Sequence, residues 1–96
     1  MFHIILYSVP LCEPCKALKK WMNENNIAFS EQNMRLLDKR AQESVKEKIM
    51  TVSRYDHATV PAICIQSRIG EQWISNHGEC DVSEMIREIQ IFLASL

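Results

Sequence analysis

No sign of charge dominates this chain: 11 lysines and arginines stand against 12 aspartates and glutamates, a formal net charge of -1. A nucleic-acid backbone is held by a basic field, so nucleic acid is not an expected partner, and neither an acidic nor a basic tail is present. Long hydrophobic runs are missing as well. The opening Met1-Phe2-His3-Ile4-Ile5-Leu6-Tyr7 carries no basic leader and is too short for a signal peptide, and no stretch reaches the roughly 20 apolar residues of a membrane-spanning helix. The expectation is a cytoplasmic protein with no membrane partner. With two glycines and three prolines in 96 residues, the chain shows no linker, repeat or low-complexity segment.

What is present suffices for one core: 47% of the residues are hydrophobic, so residues 1–96 are expected to form a single domain, a monomer, without structural staples. Of four cysteines, Cys12 and Cys15 are neighbours in sequence, Cys64 lies in a strand-like run, and Cys80 lies in a turn. In a reducing compartment a Cys-x-x-Cys pair is redox-active or metal-binding rather than a structural staple.

Periodicity divides the chain into seven elements. Residues 2–8 read as a strand buried on both faces, closed by Pro10. A helix follows, with Cys12 near its N-cap, Pro14 in its first turn, Leu18, Trp21 and Met22 as its apolar stripe, and Asn25-Asn26 at its end. Residues 27–34 form a second strand, parallel to the first because a helix joins them. Asp38 caps a second helix that buries Ala41, Val45, Ile49 and Val52 and solvates its lysine- and glutamate-rich face. Residues 60–65 and 72–75 make a hairpin turning at Ile69-Gly70-Glu71. Asp81-Val82-Ser83-Glu84 reads as a capping box for a last helix burying Val82, Met85, Ile86, Ile89, Phe92, Leu93 and Leu96. The order β-α-β-α-β-β-α implies a four-stranded mixed sheet, the first and third helices on one face and the second on the other. The first strand is expected inside the sheet, beside the strand that starts at Ala62.

Cys12-Glu13-Pro14-Cys15 at a helix start is suited to thiol–disulfide exchange. Backbone N–H groups and the helix dipole favour a thiolate at Cys12, the attacking group, while Cys15 one turn inside resolves the mixed disulfide. Glu13 opposes the thiolate, and Lys16 and Lys19 favour it, each modestly because exposed charges are screened. Two other readings use the same residues: a pair of buried structural thiols, and a zinc module formed by Cys12, Cys15, His77 and Cys80.

Three segments, Tyr7-Ser8-x-Pro10-x-Cys12-x-x-Cys15-Lys16, Thr59-Val60-Pro61 and Gly78-x-Cys80-Asp81, come in the order found in the thioredoxin superfamily, and the chain most resembles its glutaredoxin branch. The resemblance implies a thioredoxin-like α/β fold and a disulfide oxidoreductase in which Cys12 and Cys15 cycle between dithiol and disulfide to reduce protein or small-molecule disulfides. It makes Thr59, Val60 and the cis-proline Pro61 a backbone platform for substrate or glutathione, and Gly78, Cys80 and Asp81 a seat for the γ-glutamyl end of glutathione. No bound cofactor is implied. Glutathione would be a co-substrate, and electrons would come from glutathione or a reductase. Pro14 directly before Cys15 resembles the thioredoxin arrangement and points to a reducing protein.

Departures from the pattern narrow the expectation. Glu79 and Val82 replace a glycine and an acid of the glutathione segment, and Val9 stands where most members carry a cation for the glycyl carboxylate, so glutathione binding is expected to be weak. An iron–sulfur carrier would have Gly-Phe-Ser or a similarly open sequence after its first cysteine, which Glu13-Pro14 does not match. The Trp-Ser-Gly-Phe-Arg-Pro segment of the redoxins that serve ribonucleotide reductase is not reproduced around Trp73.

Overall fold

Phe2–Ser8, the apolar run at the start, forms strand β1, and both of its edges are covered. The structure is a computed structural model that describes residues 1–54, 57–76 and 81–96. Among these, helix α1 spans Glu13–Glu24, β2 Ser30–Asn33, α2 Lys39–Val52, β3 Ala62–Ser67, β4 Gly70–Ser75 and α3 Ser83–Ala94. A single 3-10 turn, Met34–Leu36, lies between β2 and α2. The sheet order is β2-β1-β3-β4, with β1 parallel to β2 and antiparallel to β3, and with β3 and β4 a hairpin. This is a thioredoxin-like α/β fold, with β1 beside the strand that begins at Ala62 as its apolar run requires.

Alternation along the strands separates two faces. Ile4 and Leu6 of β1, Ile63 and Ile65 of β3 and Ile74 of β4 point to one side, where Leu18 and Met22 of α1 and Met85 and Ile89 of α3 complete the core. Trp21 packs against that core from α1. The register places Tyr7 level with Ala62, and Ile5 level with Cys64 and Trp73, on the opposite face. There α2 lies over the sheet with Ile49 buried and Lys48 in electrostatic reach of Cys64. The small Ala62 and Cys64 let the rings of Tyr7 and Trp73 meet across β3, stacked with centroids 5.5 Å apart.

Local details differ from the sequence expectations in four places. β2 is four residues rather than eight: Ser30-Glu31-Gln32 has no apolar alternation to bury, so Ile27 and Phe29 reach the core from the preceding connection. At its other end Asn33 accepts a hydrogen bond from the Arg35 amide (2.9 Å) and starts the 3-10 turn. The hairpin turns at Arg68-Ile69, not around Gly70, because both strands continue until Ser67 pairs with Gly70; Gly70 takes φ of 128°, a value that glycine tolerates best. Asp81 stands one residue before the N-cap of α3, so no capping box forms. Its carboxylate accepts from the Ser83 amide (2.9 Å) and hydroxyl (2.5 Å), and Glu84 pairs with Arg54 (3.3 Å). Leu96 is 72% exposed because α3 stops at Ala94, and Val52 at the end of α2 is exposed too.

Candidate active site

Topology gathers the sequence motifs at one end of the sheet. β1 leaves the sheet at Ser8, which pairs with Asn33 at the end of β2, and the antiparallel β3 enters opposite Tyr7 at Ala62, level with Ser75 at the end of β4. The Cys12 loop, the turn before α2, the Thr59-Val60-Pro61 segment and the chain leaving β4 therefore share that end.

The Cys12 loop is built by its backbone. Leu11 adopts φ of 58°, a left-handed conformation that turns the chain from β1 into α1. Cys12 is the extended N-cap, its carbonyl accepts from the Lys16 amide (3.1 Å), and Pro14 occupies the first turn, where it forfeits no helical hydrogen bond. A disulfide joins Cys12 and Cys15, whose Cα atoms are 5.2 Å apart. The two sulfurs are not equivalent. Cys12 is half-buried and its Sγ accepts from the Cys15 amide (3.2 Å), whereas Cys15 is 2% exposed beneath it. Helix N-terminal N–H groups stabilise a negative sulfur, so the amide contact favours charge on Cys12.

Side-chain charges near this loop come in opposite pairs. Lys16 Nζ lies 3.4 Å from Glu13 on the surface of α1, and Lys19 Nζ lies 3.0 Å from Glu31 of β2. The Ser8 hydroxyl also donates to Glu31 (2.7 Å). The Ser8 hydrogen bond first, and Lys19 second, hold the Glu31 carboxyl below the usual carboxylate range. A groove of about 430 Å³ runs beside the disulfide, lined by Cys12, Lys16, Lys19, Glu31, Leu11 and Leu36 among others. Sequence reasoning missed Ser8, Glu31 and the two leucines as neighbours of Cys12. The polar, outward stretch of β2 was the available signal, but its register against β1 is not readable from the residues.

Across the same end, the Val60–Pro61 peptide bond is cis, Thr59 is buried with its hydroxyl donating to the Asn76 carbonyl, and Val60 is half-buried. The Asn76 amide donates to the Pro61 carbonyl (3.1 Å), which ties this segment to the end of β4. Asp81 is exposed, and the Ser83 hydroxyl and amide hold its carboxyl below the usual range. Gly78 and Cys80 of the expected glutathione segment, with Glu79, lie outside the described residues, and so does His77 of the zinc reading. Among the described residues no cluster of three or more His, Cys, Asp or Glu side chains is arranged to hold a metal ion. None of their helices is long and apolar enough to cross a membrane.

No curated protein matches the chain in sequence. The family model described as Glutaredoxin matches residues 4–69, a span that takes in most of β1, the Cys12–Cys15 loop, the Thr59-Val60-Pro61 segment and β3. With more than half of the 96 residues matched and the disulfide standing at the start of α1, the chain belongs to the glutaredoxin family.

Proposed function

We propose that this protein is a thiol–disulfide oxidoreductase that reduces protein disulfides through a Cys12/Cys15 dithiol–disulfide cycle. The observation that carries the reading is the asymmetry of the pair: Cys12 is the more accessible sulfur and receives the Cys15 amide, while Cys15 is enclosed. In the reduced protein the Cys12 thiolate attacks one sulfur of a substrate disulfide. A Cys12–substrate bond forms, the substrate S–S bond breaks, and the first substrate sulfur leaves as a thiolate that takes a proton. Cys15 then loses its proton and attacks Cys12; the second substrate thiol is released and the Cys12–Cys15 bond closes. Two electrons and two protons pass to the substrate.

Thr59, Val60 and the cis Pro61 lie at the same end of the sheet, a position suited to a peptide laid beside the reacting sulfurs. A thiol donor, either glutathione or a reductase, restores the dithiol, which places the cycle in a reducing compartment such as the cytoplasm. Glutathione serves as a weak co-substrate, since Val9 provides no cation for its glycyl carboxylate and the nearest lysines are already paired.

Single-cysteine variants test the roles. Cys15→Ser is expected to form a mixed disulfide with a reporter protein and to stop there, so that non-reducing electrophoresis and intact mass show a covalent adduct. Cys12→Ser is expected to lose at least about a hundredfold in exchange rate, because the remaining thiol lies under the loop. An inert Cys15→Ser with an active Cys12→Ser would reverse the assignment.

A further inference from the structure

The groove beside Cys12 has a feature that the exchange chemistry does not use. Glu31, on the edge strand β2, lines the same groove as Cys12. Its carboxylate is held from two sides, by Lys19 Nζ at 3.0 Å and the Ser8 hydroxyl at 2.7 Å. The remaining cation of the groove, Lys16, lies 3.4 Å from Glu13. An anionic substrate group arriving here finds both lysines already facing carboxylates. Two apolar side chains line the groove in the open: Leu11 is 91% and Leu36 83% exposed, one from the Cys12 loop and one from the turn that follows β2. Two leucines left in water at this position offer contact area to an apolar segment.

We infer that Glu31 is a specificity-determining residue: by occupying Lys19 and Ser8 it turns the groove against anionic disulfides and selects disulfides set in uncharged or cationic, apolar-flanked peptide segments. The inference rests on the exchange reading above. Because the Ser8 hydrogen bond and Lys19 hold its carboxyl below the usual carboxylate range, Glu31 stays ionised through the neutral range, and the selection operates there. Lys19 and Glu31 are only partly buried, so the effect on rate is that of a screened charge pair, about two- to fivefold for each charge removed.

The test uses the whole reduced protein, freed of reductant, and three small oxidants of different charge: oxidised glutathione (anionic), bis(2-hydroxyethyl) disulfide (uncharged) and cystamine (cationic). In each reaction the protein dithiol is oxidised to its disulfide and the probe is reduced to two thiols. Second-order rate constants are divided by those for dithiothreitol with the same probe, which removes differences in intrinsic reactivity. The expected order is cystamine, then hydroxyethyl disulfide, then glutathione disulfide. Glu31→Gln should lower the cystamine-to-glutathione ratio about two- to fivefold, and Lys19→Gln should raise it by a similar factor, both changes shrinking in high salt. A general loss of structure would slow all three probes together and could not move the ratio in opposite directions. A native preference for glutathione disulfide, or a ratio that neither variant moves, would overturn the inference while leaving exchange intact. Failure of all three probes to oxidise the protein would instead overturn the exchange reading itself.

Discussion

Cys12 and Cys64 carry the same functional group and differ in everything around it. Cys12 is half-buried at a helix start, where its Sγ accepts from the Cys15 amide. Cys64 is 1% exposed beneath α2, and burial first, with the nearby Glu71 carboxylate second, pushes its thiol up to about 11. At pH 8 a thiol with that pKa is roughly one part in a thousand thiolate. In the reduced protein, iodoacetamide followed by peptide mass mapping should therefore label Cys12 well before Cys64, and Cys64 should react only after denaturation. The same shift links stability to pH. A thiol whose pKa is raised by folding favours the folded state fully below its unfolded value near 9, and that contribution is lost as pH climbs toward the folded value of about 11. Urea midpoints of the oxidised protein should accordingly fall between about pH 9 and 11, and Cys64→Ala should flatten the fall. Tyr7, raised by burial and by Cys64 and Glu71, contributes in the same direction.

At the level of elements, the turn between β2 and α2 carries one wall of the groove, and Asp38 anchors it. Its carboxylate accepts from the Ala41 amide at 2.8 Å, and Gln42 reaches back from α2 to the Met34 (2.8 Å) and Leu37 (3.2 Å) carbonyls. Replacing an N-cap carboxylate by alanine costs about 1 kcal/mol, within a range of roughly 0.5 to 2. Asp38→Ala should lower the unfolding free energy by that amount in urea titrations, and Asp38→Asn should recover most of it. This cap was legible in the sequence because its partner lies three residues away in the same segment. The α3 start was not: Asp81 and Ser83 satisfy each other locally, so the real boundary depends on where the chain arrives from β4. β2 was overestimated for a related reason. Ile27 and Phe29 are apolar at strand spacing, yet they serve the core from outside the ladder. The cysteine loop could be read since its chemistry is local. The Glu31 pairings could not, since they join residues 23 and 12 positions distant, Ser8 and Lys19, through a strand register that no local pattern encodes.

Taken whole, the molecule has an aromatic reporter on each side of its sheet. Trp21 rests against the core between the sheet and the α1/α3 layer, and Trp73 stacks on Tyr7 on the α2 side. A single cooperative domain would lose both environments together. In Trp21→Phe and Trp73→Phe, each with one tryptophan left, the urea midpoint read by fluorescence should coincide with that variant's far-UV circular dichroism midpoint. Separate transitions would divide the chain into two folding units. The apolar pattern made the sheet and its two helical layers readable, because the unbroken run Ile4-Ile5-Leu6 in the middle of β1 puts apolar side chains on both faces and so has to be covered twice.

The interior position of β1 also bears on how reproducibly the protein can react. Ladders run along both its edges, to β2 and to β3, and an opening that freed it from the sheet would have to break both at once. Edge segments can breathe at smaller free energy. The Cys12 loop begins directly after β1, so the reacting sulfur is tethered to the part of the sheet most resistant to local unfolding. Repeated rounds of bond making and breaking then start from one fixed geometry, and the wear of each cycle falls on the surface loop alone.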